Sequence, residues 1–197
     1  MLKSSFYLLK KYYPGGDLRY QINRKTLYEE RTKFIIANII LGLEFLQSKG
    51  YLYRNLIPEN IFFDKKGYLH LTDMTLLREM SDINFLETSG NPGYMAPEIL
   101  FRQIHGIESD FFSLGITLYE IMFNKIPFKS NSREEYLNDL INNQNALIKE
   151  DDLSVGWSRE CADFINKCIQ KKPELRIGYE GIEELKNHIW LKDFEWE

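Results

Sequence analysis

The stretch Tyr53-Arg54-Asn55-Leu56-Ile57-Pro58-Glu59-Asn60 stands at the junction of a long helical pattern and a short hairpin pattern. Upstream of it, apolar residues recur every three or four positions over residues 29–47, which predicts a long and largely buried helix. Downstream, apolar runs at 61–63 and 68–71 flank the turn residues 64–67, which predicts two short antiparallel strands. The stretch is therefore expected to form a loop between a helix and a hairpin.

The rest of the chain favours a mainly α fold, a helical bundle with a small β-hairpin. An apolar run at Phe6–Leu9 predicts one further strand, which Pro14-Gly15-Gly16 ends, and Asp17 stands where the next helix would be capped. An irregular stretch from Asp73 to Pro97 is long enough to predict a functional segment. Further helices are predicted at about 109–124, 132–142, 158–169 and 180–188.

Composition indicates a single compact intracellular domain. The 197 residues are 44% hydrophobic and 27% charged, with a formal net charge of −4, so bulk charge offers no basic face for nucleic acid. Two cysteines, Cys161 and Cys168, exclude a disulfide-rich scaffold and are expected to be packing residues. The sequence contains neither an apolar stretch long enough for a bilayer nor a signal peptide. We expect a cytoplasmic protein that does not contact a membrane and that belongs to a cytoskeletal or other large assembly.

Three motifs in the middle of the chain point to one family. Residues 53–60 have the spacing H-R-D-L-x-x-x-N, Asp73-Met74 stands at the position of D-F-G, and Ala96-Pro97-Glu98 matches A-P-E. With these motifs in order, the whole chain resembles the C-terminal lobe of a serine/threonine protein kinase. The run Gly15-Gly16-Asp17-Leu18-Arg19-Tyr20 and the tail Trp190–Trp196 resemble AGC-related kinases, and the YANK family most.

The resemblance implies a single kinase-like domain over residues 1–197. Residues 1–16 would be a residual strand and hinge of the small lobe, and residues 17–197 the helical lobe. Within that lobe, Asp110 would hold the catalytic-loop backbone, and Arg176 would form a buried ion pair with Glu98. These three residues are expected to be structural.

The resemblance also identifies departures that predict a loss of phosphotransfer. Asn55 stands at the position of the aspartate that accepts the substrate proton, and losing a general base costs roughly 10²–10⁴-fold in rate. Ile57 replaces the lysine that steadies the transferred phosphoryl group, and Asn91 replaces a bridging threonine. Tyr53 replaces the loop histidine, while Arg54 is retained. No active catalytic residue is expected.

The positions that would bind a nucleotide in the family are only partly retained. Lys10 stands at the back of the adenine pocket, where the family has an apolar residue, and Phe62 replaces a leucine under the adenine. Tyr13 belongs to the same vestigial site, and Asp17 matches the residue that contacts the ribose. We therefore expect no bound cofactor, with ATP and Mg²⁺ possible only if a small lobe is supplied.

Two magnesium positions and one regulatory position remain open to interpretation. Asn60 and Asp73 match the family's metal ligands, and they could persist either as ligands or as residues that order the loops. Glu87 stands where relatives carry a phosphorylated threonine, so its carboxylate is expected to pair with Arg54 and order the activation segment.

The predicted function is that of a catalytically inactive, pseudokinase-type scaffold. Only five residues precede the predicted strand at Phe6, and no Gly-rich phosphate loop occurs in the sequence. A face that includes Tyr13, Leu18, Phe62 and Met74 would then lack a cover, which predicts a protein partner on it. The alternative is an ATP-dependent Ser/Thr kinase, or a nucleotide-binding relative, whose N-terminal lobe lies outside this sequence.

Overall fold

A computed structural model of the chain describes residues 9–25, 27–80, 88–128, 132–142 and 146–196. The architecture is mainly α, as the sequence predicts. The helices are α1 (Leu18–Asn23), α2 (Glu29–Ser48), α3 (Pro97–Leu100), α4 (Glu108–Phe123), α5 (Arg133–Asn142), α6 (Arg159–Cys168) and α7 (Glu183–Lys186). The strands are β1 (Tyr51–Leu52), β2 (Ile61–Phe63), β3 (Leu69–Leu71) and β4 (Arg78–Glu79).

Helix α4 forms the centre of the core because nearly every one of its side chains is apolar or small. It packs most closely against α6 and also contacts α2 and the short 3₁₀ helix Pro92–Tyr94. Gly115 is required at the α4–α6 crossing, since a Cβ there would lie 2.5 Å from the Cβ of Cys168. Cys161 and Cys168 are both buried free thiols, consistent with packing residues.

The predicted hairpin is confirmed and lies directly after the candidate loop. Strands β2 and β3 pair antiparallel, with Phe62 opposite His70. The turn closes with Gly67 at φ +89°, in the left-handed region that favours glycine. A second pair, β1 with β4, joins Tyr51 to Glu79 and was not predicted from the sequence.

The predicted long helices over 29–47, 109–124, 132–142 and 158–169 are confirmed to within about two residues. The helix predicted over 180–188 is wrong, because only the four residues of α7 are helical there. Gly181 precedes that turn with φ +138°, a backbone conformation that cannot continue a helix. Helix α3, which begins at the last residue of the irregular stretch, was not predicted.

The strand predicted at Phe6–Leu9 lies outside the described residues except for Leu9, which is not in a strand. Its role as a residual small-lobe strand, and the division of the chain at residues 16 and 17, therefore stay predictions. In the part of the chain that the structure describes, no helix combines the length and apolar character needed to cross a membrane.

Candidate functional site

Asp110 fixes the backbone of the candidate loop from the first turn of α4. Its carboxylate accepts from the backbone N–H of Tyr53 at 2.9 Å and from that of Arg54 at 2.7 Å. Burial raises the pKa of Asp110 to about 6, although those two hydrogen bonds act to lower it. These bonds hold Arg54 in a left-handed conformation with φ +62°, which turns the chain into the loop.

The side chains of Tyr53 and Arg54 tie the loop to the segments that follow it. Tyr53 is buried and its hydroxyl donates to the backbone carbonyl of Thr72. The Nη2 of Arg54 donates to the Ser89 hydroxyl at 2.8 Å. Glu87, the predicted partner of Arg54, lies outside the described residues. The loop is thus joined to Thr72, just before the irregular stretch, and to Ser89 within it.

Asn55 and Asp73 meet at the centre of the site. The Nδ2 of Asn55 donates to the Asp73 carboxylate at 3.2 Å and to the Asp73 backbone carbonyl at 3.3 Å. The other carboxylate oxygen of Asp73 accepts from the Thr75 hydroxyl at 2.7 Å. Asn60 reaches back from the end of the loop, where its Nδ2 donates to the Asn55 carbonyl at 3.0 Å. The structure therefore brings together all three polar residues that the sequence placed here.

The Asp73 carboxylate is held in its charged form by its neighbours. Its backbone is left-handed, with φ +55°, so the side chain turns back towards Thr75. The Thr75 hydroxyl makes the largest contribution to a lowered pKa of Asp73, and the charge of Lys10 and the Asn55 amide add to it. Asp73 is thus an acceptor of hydrogen bonds, while Lys10 lies close enough to act on its charge.

The segment before α1 brings the predicted nucleotide positions next to the hairpin. Gly15 donates its N–H to the Phe63 carbonyl at 3.0 Å, and a Cβ on Gly15 would lie 2.6 Å from that of Phe63. This contact places the Tyr13 ring 5.9 Å from the Phe62 ring and 4.6 Å from His70. Phe62, which the resemblance places under the adenine, is therefore packed in an aromatic group with Tyr13 and His70.

Asp17 serves as a helix cap in this structure. Its Oδ1 accepts from the backbone N–H of Tyr20 at 2.7 Å, so Asp17 is the N-cap of α1, as the sequence predicted. Because that oxygen is engaged within α1, the residue that matches the family's ribose contact has a structural use here.

Ile57 and Asn91 line the same small cleft, together with Arg54 and Tyr94. The Oδ1 of Asn91 accepts from the backbone N–H of Gly93 at 3.2 Å, which caps the short 3₁₀ helix Pro92–Tyr94. Ile57 and Asn91 thus line the same cleft, but Ile57 has only an alkane side chain, and the side-chain oxygen of Asn91 caps the 3₁₀ helix that follows it.

A polar network beside the loop was missed by the sequence predictions. Arg19 donates from Nε to Glu59 at 2.7 Å, from Nη1 to Glu120 at 2.6 Å and from Nη2 to the Tyr94 hydroxyl at 2.7 Å. Tyr94 in turn donates to Glu120 at 2.5 Å. The network joins α1, the loop, the end of the irregular stretch and α4. Its partners are far apart in sequence, so no local pattern could have indicated it.

One predicted member of the exposed apolar face is misplaced. Leu18 is fully buried because it is the first residue of α1 and points into the core. Met74 is 43% exposed, and Tyr13 and Phe62 are half-buried. The exposed face is therefore smaller than predicted, and Met74 does not fill an interior position.

Glu98 and Arg176 form the pair that the sequence predicted. The guanidinium contacts the carboxylate through two hydrogen bonds, of 2.6 and 3.0 Å, and both side chains are buried. The pair joins α3, at the end of the irregular stretch, to the segment after α6. It anchors the fold away from the site.

Comparison with known proteins identifies the family. A family model described as "Protein kinase domain" matches residues 1–191. The chain belongs to the protein kinase family. Human ribosomal protein S6 kinase alpha-6 is 30% identical over 198 residues, which cover 99% of this chain and 26% of that protein. Human ribosomal protein S6 kinase alpha-1 is 32% identical over 98% of this chain and 26% of that protein.

Human Rho-associated protein kinase 1 is also 30% identical, over 96% of this chain and 14% of that protein. The prediction of an AGC-related, protein-kinase-like C-lobe is thus confirmed, while the finer assignment to the YANK family stays a prediction. The kinase-like chain spans about a quarter or less of the length of these relatives.

Proposed function

We propose that this kinase-like C-lobe does not transfer phosphate and serves as an interaction module. The observation that carries the proposal is the Asn55 amide, which lies at the position of the proton-accepting aspartate and donates to Asp73 at 3.2 Å. An amide neither accepts a proton at neutral pH nor carries charge, so it cannot act as the general base.

The cleft beside Asn55 contains two further departures from the family pattern. The neighbouring cleft is lined by Ile57, which offers no cation to a transferred phosphoryl group, and by Asn91, whose oxygen caps the next 3₁₀ helix. At the hinge side, the Tyr13–Phe62–His70 aromatic group occupies the positions that the resemblance assigns to the base of a nucleotide. This arrangement favours a lobe that works without a nucleotide.

The interaction role rests on apolar side chains around the site. Tyr12 is 83% exposed and Met74 43% exposed, beside the half-buried Tyr13 and Phe62. The Tyr13 and Phe62 rings lie 5.9 Å apart, and Met74 directly follows Asp73 of the site. We call these four side chains the apolar face. Exposed apolar groups that lie together are typical of a protein–protein contact, and we propose that a protein partner covers them.

A phosphate-transfer assay tests the catalytic part of the proposal. The purified protein is incubated with radiolabelled ATP, Mg²⁺ and a mixed Ser/Thr peptide library, beside an Asp73→Ala variant. We expect equal, background incorporation in both, because neither contains a general base at position 55. Incorporation by the wild type that the Asp73→Ala variant loses would overturn the proposal and would establish an ATP-dependent kinase instead.

A further inference from the structure

The Asn55–Asp73 contact has the wrong chemistry for a divalent cation. In the family that the chain belongs to, Asn60 and Asp73 match positions that hold Mg²⁺. Mg²⁺ binds oxygen ligands in a strict octahedral arrangement and relies on one or two carboxylates plus phosphates. Asp73 is the one carboxylate in the contact with Asn55 and Asn60.

The carboxylate of Asp73 already has internal donors on both oxygens. Oδ1 accepts from the Thr75 hydroxyl at 2.7 Å and from the Thr75 N–H at 3.4 Å, and Oδ2 accepts from Asn55 at 3.2 Å. The positive charge of Lys10 also acts on this carboxylate. A cation that binds Oδ2 would have to displace the Asn55 amide, and the positive charge of Lys10 would oppose its approach.

The orientation of the Asn55 amide follows from the same contact. An ionised carboxylate only accepts hydrogen bonds, so the group that faces Asp73 is the NH₂ and not the oxygen. The Asn60 amide uses its NH₂ on the backbone carbonyl of Asn55 at 3.0 Å, so it holds the loop backbone at this point. The N–H of Asn55 therefore points towards the Asp73 carboxylate, where a metal would need an oxygen ligand.

We infer that the Asn55 amide replaces a divalent cation as the bridge between the loop and Asp73, so that the site is closed to Mg²⁺ and Mn²⁺. The inference concerns the site of the proposed function and rests on the same residue, but it makes a separate claim about metal binding. Asn55 is then the positioning residue that keeps Asp73 in place without a metal. A single change from amide to carboxylate should open the site to the cation.

The test uses the wild type, Asn55→Asp and a control, Asn38→Asp, which makes the same charge change on α2. Mn²⁺ binding is followed by electron paramagnetic resonance, and the melting temperature is measured with and without Mn²⁺. In Asn55→Asp two carboxylates face each other, so we expect a lower melting temperature that Mn²⁺ restores, and Mn²⁺ affinity at least about tenfold above that of the wild type. The wild type and Asn38→Asp should show no Mn²⁺ response.

Mn²⁺ binding by the wild type that Asp73→Ala abolishes would overturn the inference, as would equal affinities for the wild type and Asn55→Asp. If Asn55→Asp does not fold, Asn55→Ala removes the bridge without adding charge, and it should bind Mn²⁺ more tightly than the wild type does. No readout involves phosphate transfer. Metal binding by the wild type would therefore refute this inference alone, whereas metal-dependent phosphate transfer would refute the proposed function.

Discussion

At the scale of single residues, Arg176 is a buried side chain whose charge is fully hydrogen-bonded. All five of its N–H donors are used: two on Glu98, one on the carbonyl of Glu108 and two on the carbonyl of Gln170. Its side chain is fully buried and lies over the Phe112 ring, 5.1 Å from the ring centre. We expect Arg176→Met to destabilise the protein by about 3–5 kcal/mol, because the Glu98 carboxylate would remain buried and unpaired.

Urea unfolding measures that loss. The matched control is Lys33→Met on α2, which breaks a pair with Glu30 at 3.8 Å in which Glu30 is largely exposed. That control should cost no more than about 1 kcal/mol, since solvent screens an exposed ion pair. If both variants lose the same free energy, burial does not determine the strength of the Arg176 pair.

Residues that belong to a short motif could be predicted from the sequence, and their partners often could not. Asp110, Glu98 and Arg176 each stand in a recognisable run, and the structure places them in the expected hydrogen bonds. The Asn55–Asp73 bridge joins residues 18 positions apart, and its amide orientation depends on the charge of Asp73. Sequence spacing carries no information on such an orientation.

At the scale of elements, apolar periodicity predicts the long helices because each buries one continuous face. Apolar periodicity fails where a helix is very short or where a strand pairs with residues distant in sequence. The pairing of β1 with β4 involves two residues on each side, and α7 ends after four residues. After α7 the chain is held by side chains instead: the Nδ1 of His188 accepts from the Trp190 N–H at 3.2 Å. Its Nε2 faces the Asp163 carboxylate of α6 at 2.9 Å.

This contact between α6 and the C-terminal segment should depend on pH. Burial lowers the pKa of His188 below its usual value, with the charge of Lys167 adding to the effect and Asp163 opposing it. The unfolded chain then takes up a proton at higher pH than the folded one. The stabilising contribution is thus complete above about pH 6.5 and is lost as the pH falls towards the lowered pKa, by up to about 1.4 kcal/mol per pH unit.

Denaturant unfolding between about pH 7.5 and pH 5.5 checks this on the wild type, His188→Asn and His70→Asn. His188→Asn keeps an acceptor for Trp190 and should lose the extra slope, while His70→Asn, on the hairpin, should retain it. Asp110, whose pKa is about 6, titrates in the same window, but all three proteins contain it and its effect cancels in the comparison. Equal slopes in the wild type and His188→Asn would contradict the prediction.

At the scale of the whole molecule, most large apolar side chains are buried in the core, while some, such as Met74 next to Asp73, stay exposed. Helix α4 contacts α2, α6 and the 3₁₀ helix at Pro92–Tyr94, and the buried apolar residues in the described part of the chain form one continuous cluster. The sequence could predict that core from its pattern of apolar residues. It could not predict which apolar residues stay outside, since Leu18 and Met74 read alike in sequence and differ completely in exposure.

The apolar face gives the last prediction. If a partner covers it, the isolated protein should bind a hydrophobic dye there, and Tyr12→Lys/Met74→Lys should remove most of the dye fluorescence. Both side chains are exposed, so the free energy of unfolding should change by no more than about 0.5 kcal/mol for each substitution. The control is Val155→Lys/Ile104→Lys, two exposed apolar residues outside the face. Dye binding that is weak in the wild type, or that both double variants reduce equally, would show that these side chains form no specific contact surface.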